Sequence, residues 1–230
     1  MGSSPSPGTF QMKSDIGYKW NSNLAYAIGL IATDGNLSKD KRHILFTTTD
    51  RQLANTFKKC LAIKNRTIIT PPSGFGKKRA YRINLGNVKL YRWLQKIGLM
   101  PKKTALMGEL NIPNQYFVDF LRGHLDGDGS VFTYTDKYMK YKEKKYTYNR
   151  LYTKFISTSF NQITWIRNKI KESLDKYGSL THYLKRDRKL AIWQLRFAKK
   201  DSLKLLSWIY YRPNLPCLNR KRKIAEQFLN

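Results

Sequence analysis

Two aspartates that each precede a glycine are the residues of this sequence best suited to chemistry. Asp34 lies near the end of the run Ala27–Gly35, and Asp128 lies at the same place in the run Leu121–Gly129, 94 positions later. Both runs are mostly apolar and resemble helices, and both carry small residues four positions apart. These small residues are Gly29, Thr33, Gly123 and Gly127. Small residues at this spacing let two helix backbones approach closely. Packing of the two helices would therefore bring the two carboxylates together.

Two carboxylates at a helix seam form a candidate site for a divalent metal. Hard cations such as Mg²⁺ prefer oxygen ligands and are usually held by one or two carboxylates together with phosphate oxygens. Mn²⁺ or Ca²⁺ could occupy the same kind of site. The alternative is that each Asp-Gly pair only ends its helix in a turn, which is a common local arrangement. Two such ends on matching helices favour the metal site.

The sequence carries a large excess of positive charge. Its 230 residues include 44 Lys and Arg against 15 Asp and Glu, which gives a formal net charge of +29. Such an excess repels itself and is typical of a protein that binds a polyanion. A ribosomal or chromatin-type protein with a basic tail is the alternative, but the basic residues here are spread through apolar and aromatic segments from Lys19 to Lys223. The expected partner is nucleic acid.

Several other classes are disfavoured. No run of 18 apolar residues is present, which argues against a membrane span, and the polar residues 1–8 indicate a flexible leader rather than a signal peptide. The cysteines and histidines lack the spacing of a zinc finger or of a histidine-centred nuclease motif. They are Cys60, Cys217, His43, His124 and His182. Isolated cysteines fit a reduced intracellular setting, either an organelle (mitochondrion or chloroplast) or a prokaryotic cytoplasm.

The similarity between the two halves continues beyond the aspartates. Amphipathic helices are predicted over residues 51–63 and 161–177, and alternating strands over residues 81–85 and 193–197. Similar Trp-containing helices follow at residues 88–94 and 203–209. The offset between the copies grows from 94 at the aspartates to about 110 before the amphipathic helices, 112 at the strands and 115 at the Trp helices. The sequence therefore predicts an internal duplication.

Most of the growth in offset lies between Ser130 and Phe155, where basic residues and tyrosines interleave. This segment is predicted to be a long β-hairpin or loop in the second copy. One interpretation is an extended arm whose lysines meet phosphates and whose tyrosines pack on sugars or bases. The other is a solvated hairpin whose tyrosines serve the fold. The total charge favours the arm.

The motifs resemble those of the LAGLIDADG homing endonuclease family in its single-chain form, in which two motif copies make a pseudo-dimer. The second copy matches at Leu121, Gly123, Asp126, Asp128 and Gly129. The first keeps Gly29, Leu30, Ile31, Asp34 and Gly35, with Ala32 where the family often has an acid. That departure leaves the acid before the final glycine in place, and in the family this is the acid that carries the chemistry.

The resemblance implies an α+β fold of two fused αββαββα repeats. These would form a pseudo-twofold saddle of antiparallel sheets with the motif helices packed at its centre. The expected organisation is a flexible N-terminal leader (1–20), a first repeat (21–100), a linker (101–115) and a second repeat (116–230).

The resemblance also implies how the chain would hydrolyse phosphodiesters. Asp34 and Asp128 would hold Mg²⁺, with the carbonyls of Thr33 and Gly127 as further ligands. The family's segment that delivers a basic residue to the site corresponds to positions near Lys103 in the first copy and Lys221 in the second. Polar groups that organise water in the family fall near Thr49 and Ser159.

Sequence readout is expected from the outer faces of the sheets, because antiparallel strands can lie in the major groove and present alternate side chains to base edges. The best-placed residues are Arg82, Asn84, Gln194 and Arg196, since arginine suits guanine and Asn or Gln suits adenine. Second-rank candidates are Ser38, Thr48, Tyr134, Thr158, Lys185 and Arg186. Each could instead be an ordinary solvent-facing polar residue.

The function that the resemblance implies is metal-dependent cleavage of both strands of a long, non-palindromic DNA site, with short 3′ overhangs, in intron or intein homing. The enzyme would act as a monomer on double-stranded DNA. One alternative is an intron-splicing maturase of the same fold that holds structured RNA, and another is a DNA-binding regulator that does not cleave. An acid kept in both motif copies favours the nuclease, because a pure binder has no chemical need for it.

Overall fold

A computed structural model describes residues 18–72, 78–101, 106–141, 144–184 and 190–229, with the side chains of 137–141 and 144–146 left out of the description. Lys103, Lys185, Arg186 and most of the expected leader lie outside these ranges. The first half of the chain contains α1 (Ser22–Asp34), β1 (Gly35–Leu37), β2 (His43–Thr48), α2 (Arg51–Cys60), β3 (Thr67–Thr70), β4 (Ala80–Gly86) and α3 (Val88–Lys96). The second contains α4 (Asn114–Gly127), β5 (Ser130–Tyr141), β6 (Lys144–Ser157), α5 (Phe160–Leu174), β7 (Ser179–Tyr183), β8 (Ile192–Phe197), α6 (Lys199–Ile209) and α7 (Asn219–Leu229).

The two halves have the same topology. The first sheet has the strand order β1-β2-β4-β3 and the second has the order β5-β6-β8-β7, and all neighbouring strands are antiparallel. Each sheet follows one motif helix and is interrupted by one further helix, which confirms the predicted α+β fold of αββαββα repeats. Helix α7 is an addition after the second repeat that the sequence analysis did not predict.

The motif helices α1 and α4 pack against each other at the centre. A Cβ atom placed on Gly29 would lie 2.2 Å from the carbonyl oxygen of Phe120, and one placed on Gly123 would lie 2.1 Å from the carbonyl oxygen of Tyr26. The two backbones are therefore in direct contact, and only glycine fits at either position. The prediction of a close helix seam from the small residues is confirmed.

Helix α1 is surrounded by protein. Asn21 caps its first turn by accepting a hydrogen bond from the Leu24 amide at 2.9 Å, and residues 24–32 are all buried. An apolar helix that has no polar face is stable only inside a core, and α1 has α4 on one side and α2 with β2 on the other. This position leaves only the two ends of α1 close to solvent, at Ser22 and Asn23 and at Thr33 and Asp34.

The segment added to the second repeat is a long hairpin. Strands β5 and β6 pair from Ser130 with Lys154 as far as Tyr141 with Lys144, and their register shifts between Tyr138 and Tyr141. The hairpin interpretation is confirmed, while its use as an arm on DNA stays a prediction. In the part of the chain described, no helix is both long and apolar enough to cross a bilayer.

Candidate active site

The C-terminal ends of the two motif helices meet. Asp34 is the last residue of α1 and is half-buried, and Asp128 follows the last residue of α4 and is exposed. A Cβ atom on Gly127 would lie 1.9 Å from Thr33 Oγ1. The residues immediately before the two acids are therefore in contact across the seam, as the motif spacing predicts.

A polar cavity of about 230 Å³ opens beside this seam. Its walls come from both halves of the chain, and they present carboxylates, threonine hydroxyls and one guanidinium. The lining residues are Asp34, Thr47, Thr48, Thr49, Asp50, Leu53, Asp126, Gly127 and Arg220. Asp128 lies next to Gly127 in sequence but is not among them.

The groups expected to hold a metal are all oxygen donors, which is the type that a hard divalent cation prefers. They are the carboxylates of Asp34 and Asp128 and the backbone carbonyls of Thr33 and Gly127. Within the described ranges, no group of three or more His, Cys, Asp and Glu side chains is arranged to enclose a metal. An open set of one or two carboxylates is the kind that Mg²⁺ accepts when water and phosphate oxygens complete its shell.

Asp126 is a buried acid that the sequence analysis did not select. Its Oδ2 accepts hydrogen bonds from the Tyr26 hydroxyl at 2.8 Å and from the Leu218 amide at 2.7 Å. Its Oδ1 is buried with no hydrogen-bond partner in the described structure. Burial raises the pKa of Asp126, against the opposing effects of Lys221, Tyr26 and the Leu218 amide. One difference between the two motifs could have drawn attention to Asp126, because the matching residue of the first copy is Ala32.

Lys221 lies beneath the seam rather than in the cavity. Its side chain is 2% exposed, and its ammonium donates to the carbonyls of Leu125, Asp126 and Gly129 at 2.5, 2.9 and 2.7 Å. Burial lowers the pKa of Lys221 to about 8, while Asp126, Asp34 and Asp128 act in the opposite direction. Both motif acids are thus close enough to feel this charge. All three ammonium protons are already taken by the end of α4.

Arg220 is the basic residue that reaches the cavity. Its Nε lies 3.6 Å from Asp50 Oδ2, and its side chain is largely exposed. Successive residues of a helix point about 100° apart because there are 3.6 residues per turn. The neighbours Arg220 and Lys221 therefore face different surroundings. Their roles could not be separated without knowing where α7 begins.

The expected water-organising pair is corrected by the helix caps. Asp50 caps α2, and Ser159 caps α5. Because these caps correspond, the offset at this point is 109 rather than 110, and Thr49 corresponds to Thr158. The Ser159 hydroxyl is buried and donates to the Met107 carbonyl at 2.5 Å, so it is not available to water in the site. Thr49 is exposed and lines the cavity.

On the first sheet, the alternation places most of the expected groove residues outward. Arg82 and Asn84 are exposed on β4 and alternate with the buried residues Ile83 and Leu85. Thr48 belongs instead to the inward series of β2 and is 9% exposed, with its hydroxyl accepting from the Asp50 amide. The outward residue here is Thr47, which pairs with Arg82. Thr47 is therefore the residue expected to contact the groove, in place of Thr48. Ser38 is half-buried and lies just after β1.

On the second sheet, the outer face is cationic and aromatic. Lys154 and Arg196 lie directly opposite each other on β6 and β8. The Arg196 guanidinium lies 5.4 Å from the centre of the Tyr152 ring, which stacks on Phe132. Like charges directly opposite each other destabilise a sheet, so this face favours an anionic partner. The other predicted residues with described positions are outward Gln194, exposed Tyr134 and half-buried Thr158.

Comparison with known proteins shows similarity of the fold. A LAGLIDADG-like domain is recognised over residues 21–98. The fold matches the meganuclease I-AabMI, solved bound to uncleaved DNA, with 18% identity and a TM-score of 0.56 over 91% of this chain and 89% of that chain. It also matches the meganuclease I-SmaMI bound to uncleavable DNA, with 12% identity and a TM-score of 0.57 over 92% and 88%.

A third match is the N-terminal LAGLIDADG domain of DUF199/WhiA, with 16% identity and a TM-score of 0.52 over 87% of this chain and 88% of that one. No curated protein sequence matches. At these identities the likenesses establish the fold, and the chemistry has to be argued from the residues of this chain.

Proposed function

We propose that the chain is a member of the LAGLIDADG family and that it is a metal-dependent, site-specific endonuclease that cuts both strands of double-stranded DNA. The observation that carries this proposal is the contact between Thr33 and Gly127, because it brings two helix ends of matching sequence together, each with an aspartate at its tip. A protein that only binds DNA has no chemical need for an acid at both helix ends.

Four groups of the seam would hold the metal: the carboxylates of Asp34 and Asp128 and the backbone carbonyls of Thr33 and Gly127. Bound Mg²⁺, or Mn²⁺ or Ca²⁺ in the same place, supplies a water of lowered pKa and neutralises charge on the phosphate. The protein's own contribution is to fix these oxygens on two rigid helices and to keep a polar cavity beside them.

The outer faces of the two sheets would bind the duplex. Arg82 and Asn84 on the first sheet and Gln194 and Arg196 on the second have the side-chain types that read guanine and adenine in the major groove. The opposed cations Lys154 and Arg196 would be relieved of their repulsion by a phosphate backbone. Because the two sheets carry different residues, the half-sites should differ, and one chain should act as a pseudo-dimer.

Cleavage-site selection on a plasmid library of randomised inserts tests the proposal. We expect linear products with short 3′ overhangs at a single long asymmetric sequence, formed with Mg²⁺ and lost when EDTA is added. Binding of a structured RNA with no cleavage at any Mg²⁺ or Mn²⁺ concentration would favour the maturase. Tight sequence-specific binding of DNA without cleavage would favour the regulator.

Salt dependence is the first prediction. If the basic sheet faces neutralise about 6–10 phosphates, affinity for the target should fall by about 10³- to 10⁵-fold between 50 and 200 mM salt. Arg196→Gln should weaken binding and, if the residue reads a base, relax the preference at one position of the half-site. Fluorescence anisotropy on matched and single-mismatch duplexes measures both effects. An affinity that is insensitive to salt would contradict the assignment of these faces.

Arg220 gives the second prediction. Its guanidinium is the cation of the cavity, so Arg220→Gln should lower the cleavage rate at saturating DNA by about 10²-fold, as expected for loss of one group that stabilises developing charge. Lys223→Gln, which removes an exposed cation from the same helix, is the matched control. Equal effects of the two substitutions would show that only general charge matters.

A further inference from the structure

The segment Pro216–Lys221, which we call the C-terminal clasp, is bonded to the second repeat at three points. The Arg122 guanidinium donates from Nε to the Pro216 carbonyl at 2.8 Å. The Leu218 amide donates to Asp126 Oδ2 at 2.7 Å. The Lys221 ammonium donates to three carbonyls at the end of α4. The bonded groups of the second repeat lie between Arg122 and Gly129, on both sides of Asp128 in sequence.

The same segment is hydrogen-bonded to the first repeat by Gln52 of α2, in addition to the exposed Arg220–Asp50 pair. The Gln52 amide nitrogen donates to the Cys217 carbonyl at 2.9 Å, and the Gln52 amide oxygen accepts from the Asn219 amide at 3.0 Å. Both ends of the Gln52 side chain are therefore used on the clasp. Gln52 is itself fixed because its backbone amide donates to the capping carboxylate of Asp50 at 2.9 Å.

The clasp crosses the boundary across which the cavity is built. Asp34, Thr49 and Asp50 come from the first repeat, whereas Gly127 and Arg220 come from the second. The clasp is hydrogen-bonded to Gln52, which lies two residues after Asp50, and it contains Arg220. The first motif cannot accept a hydrogen bond as Asp126 does from the Leu218 amide, because Ala32 stands at the matching position and has no carboxylate.

We propose that Gln52 is a positioning residue, which acts through the clasp to set the end of α1 relative to the end of α4. Lys221 then serves the site by holding the α4 end, rather than by contacting DNA. The proposal rests on the proposed endonuclease function. Cutting both strands in one binding event needs both acids in place at once, and a misplacement of about 1 Å can cost about 10²-fold in rate.

The test compares the products of Gln52→Met with those of the wild-type protein on a supercoiled plasmid that carries the target. Methionine keeps the length of the side chain but removes both hydrogen bonds that the Gln52 side-chain amide makes to the clasp. We expect linear product to form about 10- to 100-fold more slowly, with nicked plasmid accumulating and with target affinity and melting temperature nearly unchanged. Glu172→Gln, which removes an exposed pair with Lys169 on α5, should leave the ratio of nicked to linear product unchanged.

A merely structural Gln52 would lower the melting temperature without changing the ratio of nicked to linear product, and that outcome would overturn the proposal. Hydrogen exchange provides a readout that does not need activity. The amides of Leu218 and Asn219 should be protected in the wild-type protein, and Asn219 should lose protection in Gln52→Met. An Asn219 amide that exchanges freely in the wild type would also overturn it. If no DNA is cut by the wild type while Asn219 is protected, the endonuclease assignment fails and the clasp stands.

Discussion

Replacement of either Asp34 or Asp128 by asparagine should slow double-strand cleavage by about 10²- to 10³-fold or more, as expected when a group that stabilises the transition state is removed. Asparagine keeps the size of the side chain but carries no charge, so it is a much weaker ligand for a hard cation. The two aspartates lie at equivalent helix ends whose preceding residues touch. Loss of either acid should therefore weaken metal binding at the shared site.

Binding separates this effect from a folding defect. Asp34 is half-buried and Asp128 is exposed, so we expect both variants to fold and to bind target DNA within about threefold of the wild type, since the phosphate contacts that dominate affinity lie elsewhere. Asp201→Asn, which removes an acid paired with Lys176 on the outer surface, is the matched control and should cleave normally. Full nicking and linearisation by either motif variant would remove that aspartate from the site.

The central seam and the repeat could be predicted because they rest on local sequence periodicity. Gly29 and Gly123 mark close helix contact by residue size alone, and the alternation in residues 81–85 and 193–197 shows which side chains point outward. The same patterns recur in order along both halves, so the duplicated topology follows from the sequence. Such signals need no knowledge of what lies across the contact.

The finer placement of the cavity residues depends on where helices begin. Thr48 faces inward and Thr47 outward because the alternation of β2 continues unbroken through Thr48, before Asp50 caps α2. Likewise, Arg220 enters the cavity while Lys221 turns under α4 because α7 begins at Asn219. A shift of one residue changes a strand face or rotates a helix by about 100°. Helix and strand ends are the least reliable part of a prediction from sequence.

Asp126 and Gln52 were missed for a different reason. Both bond to the chain around residues 217–219, which is 92 and about 165 positions away in sequence. No local pattern marks such a contact. The absence of an acid at Ala32 was visible, but its meaning depends on the Tyr26 hydroxyl and the Leu218 amide that meet Asp126 in the folded chain.

Introducing a single methyl group at the seam should have the largest effect on stability. Alanine normally stabilises a helix relative to glycine by about 1 kcal/mol. At Gly29 or Gly123, however, the new Cβ would lie 2.2 or 2.1 Å from a backbone carbonyl oxygen of the other motif helix. Backbone atoms cannot rotate away, so the helices must separate, and each substitution should lower the free energy of unfolding by about 3 kcal/mol or more.

Thermal unfolding should show this loss as a fall in melting temperature of about 6–12 °C for Gly29→Ala or Gly123→Ala, given about 2–4 °C per kcal/mol in a chain of this size. Gly108→Ala is the matched control, because a Cβ there meets no atom within 4 Å, and it should shift the melting temperature little. The double variant should lose less than the sum of the two, since one separation of the helices relieves both clashes. A melting temperature of either seam variant equal to that of Gly108→Ala would contradict the close packing of α1 on α4.

At a temperature where the seam variants are still folded, their cleavage should also fall by about 10²-fold, because the ends that carry Asp34 and Asp128 move apart with the helices.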